Sequence, residues 1–211
     1  IAVPELQGGW YNQWTAPYGF DELYDWYGHS YQKLVMEALA SQRCTMMNLY
    51  MFYGGSNWGS IADPEVYTSY DYAACLREYG FESRRLGYVR LFNLFVQSFM
   101  QSLVKTDPVS NHHLESDIDD LIYKVRASHD GTLFYFLRNF NQEHETAFTL
   151  HPSHDLAIPM QGKHHLAYKH SYIAIANHKI GDILVQFCSY PIVVKGMYRD
   201  GHLLILIQNK G

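Results

Sequence analysis

The chain has 211 residues, 47% hydrophobic and 18% charged, with a formal net charge of -5 and a pI near 6.2. That balance supports a folded core rather than disorder, and its sixteen Lys and Arg are scattered, so there is no basic field for a phosphate backbone. Nucleic acid is therefore not expected as a partner, and no apolar run reaches the length of a membrane span. Three cysteines, Cys44, Cys75 and Cys188, lack metal-ligand spacing and are read as small buried hydrophobes.

In chain order, residues 1–5 read as the end of a strand. Apolar positions Leu23, Tyr27, Tyr31, Leu34, Val35 and Ala38 recur with helical spacing, which predicts a single helix over Asp21 to Ser41. Thr45 to Tyr53 is nearly continuously apolar and is expected to form a parallel strand covered on both faces, broken by Gly54-Gly55. A loop through Tyr72 leads to a second helix over Glu82 to Thr106, with Phe92, Phe95, Phe99, Met100 and Leu103 on one stripe. The first part, 1–106, thus reads as α/β, two successive β/α units.

The helical period stops at Lys105-Thr106-Asp107-Pro108, which marks a boundary, and residues 107–211 read as all-β. Runs at Leu121 to Ala127, Thr132 to Asn139, Thr146 to Leu150, Ser171 to Ala176, Ile183 to Cys188, Pro191 to Lys195 and His202 to Gln208 are separated by turn residues. Short strands in this rhythm predict an antiparallel module, sandwich-like or barrel-like. Of the twelve histidines, His112, His113, His151, His154, His164, His165, His170 and His178 fall in this part without HExxH or other paired spacing. They are expected to be polar surface, and no metal or cofactor is assigned.

The chemistry concentrates at the start, Ile1-Ala2-Val3-Pro4-Glu5-Leu6-Gln7-Gly8-Gly9-Trp10, followed by Trp14. A glycosidase site needs a carboxylate at a strand end, a turn that admits a ligand, and flat aromatic faces for a pyranose ring. Glu5, Gly8-Gly9, Trp10 and Trp14 supply those parts in that order. Pro4 stands against a regular central strand, because it cannot donate to a ladder. The paired glycines, here and at Gly54-Gly55, are read as permitting positive φ or close backbone approach.

Three ordered blocks carry a resemblance: Pro4 to Trp10 with Trp14, then Asn48-Leu49-Tyr50-Met51-Phe52-Tyr53-Gly54-Gly55-Ser56-Asn57-Trp58-Gly59, then Thr68-Ser69-Tyr70-Asp71-Tyr72. Together they resemble the second half of the catalytic barrel of glycoside hydrolase family 35, the retaining β-galactosidases. The resemblance implies a partial (β/α)8 TIM barrel over 1–106, its last two β/α units, and a β-rich accessory domain over 107–211. It makes Glu5 the nucleophile at the end of the seventh barrel strand and Tyr72 a contact to galactose and nucleophile. Trp10 and Trp14 become pocket walls, and a β-galactoside becomes the substrate.

On the eighth strand, Asn48, Tyr50 and Phe52 alternate with Leu49, Met51 and Tyr53 and are expected to be core rather than ligand contacts. Asp71 is expected to fix its loop. The resembling family keeps its acid/base glutamate in an Asn-Glu pair, and that dipeptide does not occur in this sequence. Glu37, Glu78 and Glu82 do not replace it. The chain is therefore read as an inactive fragment of a larger hydrolase, for which the resemblance implies a secreted or lysosomal/vacuolar setting. The alternative is a noncatalytic carbohydrate-binding or interaction module derived from a glycosidase.

Overall fold

Two strands, β1 (Ala2–Gln7) and β2 (Met46–Tyr50), pair in parallel, with α1 (Phe20–Tyr27) and α2 (Tyr31–Ser41) between them in sequence. The computed structural model describes residues 1–59, 61–62, 67–110, 113–117, 121–140, 143–188 and 191–206. His112, Ile207 and Gln208 of the expectations above lie outside these. The chain divides into two compact units, residues 1–36 with 44–90, and residues 37–43 with 91–211.

The single helix expected over Asp21 to Ser41 is two. Gly28 takes φ 80°, its N–H closing on the Tyr24 carbonyl at 2.9 Å, so the first helix stops there and a new one starts after Ser30. Helical periodicity survived the interruption, which is why the sequence pattern did not reveal it. Beyond β2 come β3 (Gly55–Ser56) and β4 (Ser69–Tyr70), a two-residue antiparallel pair, and then α3 (Arg84–Leu103). Phe92, Phe95 and Phe99 are buried on α3, whereas Met100 is 47% exposed and leaves the expected stripe.

The strand Thr45 to Tyr53 was expected to be covered on both faces and is not. Met47 and Leu49 are half-buried, while Met46, Asn48 and Tyr50 are exposed. Apolar content alone does not distinguish a strand with two packed faces from one with a bare apolar face.

The remaining strands are β5 (Thr106–Val109), β6 (His113–Ser116), β7 (Ile122–Ser128), β8 (Leu133–Asn139), β9 (Thr146–Ser153), β10 (Leu156–Ile158), β11 (His164–Leu166), β12 (His170–Ile180), β13 (Ile183–Phe187), β14 (Ile192–Tyr198) and β15 (Gly201–Leu206). Five form an antiparallel sheet in the order β13-β12-β8-β7-β5, and β10, β9, β11 and β6 form a second. Val125, Tyr135, Leu137 and Tyr172 of the first sheet meet Phe148, Leu150, Ile158 and Leu166 of the second in one buried cluster. Two sheets sharing one core in this way make a β-sandwich.

The five-stranded sheet is buried on its other face too. Phe134 of β8 lies edge-on to Phe95 and Phe99 of α3, with ring centroids 6.2 Å apart in both pairs. This explains the unbroken run of buried residues in β8, where a solvated sheet would alternate.

The residues expected to mark the boundary near 106 form β5, at the edge of this sheet, where a proline that lacks a donor is tolerated. Arg126 of β7 anchors that edge. Its Nε donates to Thr106 Oγ1 at 2.7 Å, and its other nitrogens reach the carbonyls of Thr106 and Ser41.

His178 corrects the reading of the histidines as surface, being 2% exposed. Its Nδ1 pairs with Thr132 Oγ1 and its Nε2 with Lys195 Nζ, both at 2.8 Å. Burial and the Lys195 cation push its pKa down to about 4, so the ring is neutral and accepts from the ammonium. Nearby, burial pushes the Asp130 carboxyl up, but donors from Ser102, Thr132 and Ser128 outweigh it and bring it down to about 2.

Candidate active site

Glu5 stands in the second half of β1, where the ladder is irregular. Val3 pairs with Met47 and Leu6 with Leu49, so three steps along β1 match two along β2, and Pro4 and Glu5 together face Asn48. This is a bulge, and it accommodates Pro4 within a paired strand, with the Pro4 carbonyl accepting from Asn48 Nδ2 at 3.0 Å. After it, Leu6 turns into the core at 8% exposure, and Glu5 and Gln7 remain exposed. Gln7 pairs with Tyr50, so the open side of the sheet gathers Met46, Asn48 and Tyr50 beside the Glu5 strand.

Directly beyond, Gly8 and Gly9 let the chain pass against its neighbours. The glycines do not use positive φ; they provide close approach. A Cβ on Gly9 would stand 2.5 Å from the Tyr72 carbonyl oxygen and 2.8 Å from Tyr72 Cβ, and the next residue, Trp10, donates its N–H to that carbonyl at 2.8 Å. The Tyr72 backbone is thereby fastened to the turn that follows Glu5. Gln32 of α2 closes the same turn from another side, donating to the Gly8 carbonyl at 3.2 Å.

Tyr72 and Ala73 both adopt left-handed backbone, with φ 58° and 52°. For residues with a side chain this costs on the order of 1–3 kcal/mol each, so the surroundings must hold it. Asp71 does much of that work, and its expected role as a loop-fixing acceptor is what the structure shows. Its Oδ1 accepts from the Ala73 N–H at 2.9 Å and from Arg77 Nε at 2.6 Å, and its Oδ2 accepts from the Glu78 N–H at 3.0 Å.

The Tyr72 ring is half-buried, stacked on Phe20 at 6.0 Å and edge-on to Tyr11 and Tyr70 at 6.5 Å. Burial raises its phenol pKa, and Tyr50 and Tyr11 push in the same direction. The hydroxyl is therefore a proton donor at neutral pH. Tyr50, expected to be core, is 53% exposed and lies close enough to act on this phenol.

The two tryptophans diverge. Trp10 is 4% exposed, its ring 4.0 Å from Tyr27 in a stack and 4.4 Å from the Arg85 guanidinium. Trp14 is 55% exposed and leans on Tyr67 at 5.4 Å. Trp14 is thus the more accessible of the two.

The other early glutamates have separate duties. Glu37 is buried on α2, Glu78 accepts from the hydroxyls of Ser56 and Ser69, and Glu82 pairs with Arg90 at 3.4 Å. Of the cysteines only Cys75 is buried, and burial pushes its thiol up to about 11, away from nucleophilic chemistry. Among the described residues no three metal-ligating side chains converge, and no helix is long and apolar enough to cross a membrane.

The parallel strand pair thus places a bulged carboxylate, Glu5, before a glycine turn to which the left-handed Tyr72 segment is fastened. Residues 1–95 match the sequence profile of the Glycosyl hydrolases family 35. Among curated proteins, the chain is 26% identical over 211 residues to "Probable beta-galactosidase C" of Aspergillus niger, covering 99% of the chain and 21% of the relative. It is 29% identical to the protein of the same name from Talaromyces marneffei over the same shares. It is 40% identical over 109 residues to "Probable beta-galactosidase B" of Aspergillus niger, covering 52% of the chain and 10% of that protein. The whole-length alignments extend the likeness through the β-sandwich, and the chain spans about a fifth, 21%, of the β-galactosidase C relatives' length.

Proposed function

We propose that this chain carries the nucleophile segment of a retaining β-galactosidase and that its β1 and β2 are the last two strands of a (β/α)8 barrel. The open side of the β1–β2 sheet is then the barrel interior, which accounts for an exposed face bearing Met46, Asn48 and Tyr50. The observation that carries the reading is the bulge at Pro4-Glu5, which keeps Glu5 on the exposed surface at the carboxyl end of a parallel strand. That end is where barrel enzymes hold their chemistry.

In this reading the Glu5 carboxylate attacks the anomeric carbon of a terminal β-galactosyl group. The bond to the leaving oxygen breaks as a glycosyl ester forms, and water then releases galactose. A second carboxyl group, roughly 5 Å from the first, protonates the leaving oxygen and later activates the water. No Asn-Glu pair lies within residues 1–211, so that group belongs to another part of the full-length protein. The Tyr72 hydroxyl, kept protonated, donates to Glu5 or to the sugar, Trp14 offers a stacking face, and Trp10 supports the loop from beneath.

The test is made on the full-length protein with a nitrophenyl β-galactoside. Glu5→Gln is expected to lower kcat/KM by orders of magnitude. A fluorinated galactoside that forms a slow-turnover ester is expected to label the peptide containing Glu5. Full activity in Glu5→Gln would overturn the assignment, and sugar binding without hydrolysis by the unaltered protein would favour a noncatalytic carbohydrate-binding module.

A further inference from the structure

Arg85, on the first turn of α3, is fully buried, and among the described residues its guanidinium meets no carboxylate. Its Nη1 donates to the Ala73 carbonyl, its Nη2 to the Tyr24 carbonyl at 2.9 Å and its Nε to the Gly28 carbonyl at 3.1 Å. The cation also lies 4.4 Å from the Trp10 ring and 4.3 Å from the Tyr24 ring. Burial lowers its pKa to about 10, so it remains charged at neutral pH.

A buried cation without a carboxylate partner is a poor way to fill space, since an apolar side chain of similar volume avoids the desolvation cost. What an apolar residue cannot do is bind three carbonyls at once. Two of these belong to the end of α1, where the helix dipole favours a cation. The third is on the residue immediately after Tyr72, in the left-handed pair Tyr72-Ala73. Asp71 holds the Ala73 N–H and Arg85 holds its carbonyl, so the second residue of the strained pair is gripped at both ends.

We propose that Arg85 is a positioning residue for the reaction, acting through Tyr72: it locks the left-handed turn to the end of α1 and thereby aims the Tyr72 hydroxyl. This deepens the reading given under Proposed function and rests on it. Lysine does not reproduce the fork, because its donors sit on one nitrogen, whereas the guanidinium spreads them over three.

A double-mutant cycle in the full-length protein tests this, using Arg85→Lys, Arg85→Gln, Tyr72→Phe and their combinations, with kcat/KM on a nitrophenyl β-galactoside as readout. Each Arg85 substitution alone is expected to lower kcat/KM by about tenfold or more, and by less than about twofold in the Tyr72→Phe background, because coupled residues are not additive. A merely structural arginine would lower activity by the same factor in both backgrounds, and that result overturns the proposal. So does an Arg85→Lys enzyme with unchanged kcat/KM. If neither Arg85 variant folds, Arg85 is a folding requirement and the positioning role is rejected. Full activity in both Glu5→Gln and Tyr72→Phe would instead mark the failure of the underlying site assignment.

Discussion

Arg77 donates its Nε to Asp71 Oδ1 at 2.6 Å, while its Nη2 reaches Asp21 at the same distance, so one guanidinium ties the loop before Tyr72 to the start of α1. The Asp71 side chain is only 10% exposed and also accepts two backbone N–H groups. Asp71→Asn removes the charge and turns one acceptor into a donor facing the Glu78 N–H. A loss of about 1.5–3 kcal/mol is expected, the range for hydrogen bonds to charged groups. Urea unfolding measures it, and an unchanged midpoint would contradict the role given to this carboxylate.

Gly9→Ala places a methyl 2.5 Å from the Tyr72 carbonyl oxygen, a backbone atom that cannot swing aside. Overpacking of this kind costs about 1–3 kcal/mol. The displaced group is the Tyr72 segment, so in the full-length protein activity should fall along with the melting temperature. Gly59→Ala is the comparison for space: nothing lies within 4 Å of its Cβ position, and its expected cost comes from φ 62° alone.

Phe148 is fully buried between the two sheets, its ring 5.5 Å from Tyr172 and 5.4 Å from His164. Phe148→Ala is expected to cost about 3–5 kcal/mol through lost burial and the cavity left behind. Phe140, 42% exposed, should tolerate the same change with a loss under about 1 kcal/mol. Equal losses at the two positions would argue against a core shared by the sheets.

His178 makes stability depend on pH. Its folded pKa of about 4 lies below the ordinary 6.5, so between those values the unfolded chain binds more protons than the folded one. Stability is therefore full above about pH 6.5 and declines as pH falls toward 4, by on the order of 2–3 kcal/mol. Asp130 continues the decline between 3.8 and about 2, since its folded pKa is depressed and its protonation favours unfolding. Melting curves from pH 7 to 4 should show the slope, and His178→Gln, which keeps an acceptor for Lys195 without titrating there, should flatten it.

The candidate site was legible from local order in the sequence. Glu5 before a glycine pair, and Tyr72 closing a Ser-Tyr-Asp-Tyr stretch, stood out because each lies in a short motif. Tyr50 did not, because an aromatic residue in an apolar strand reads the same whether its face is packed or bare. Arg85 left a faint trace, since it shares the helical phase of Val89 and Phe92 and so falls on the buried stripe of α3. The strand at Thr106–Val109 was missed because proline argues against a strand, and only its place at a sheet edge makes it harmless.

The order of residues along the chain was enough for the helical segments, most of the strands, the change from mixed to all-β character, and the likeness to a hydrolase family around Glu5. These depend on periodicity and on residues near one another in the chain. Tertiary structure alone decided that Pro4 and Glu5 share a bulge, that Gly28 splits a helix, and that His178 is buried against Lys195. It also brought Arg85 to the turn of Tyr72 and Ala73, twelve residues from the carbonyl it holds. Each of these rests on which backbone groups remain unpaired until distant segments meet, and no local pattern of side chains encodes that.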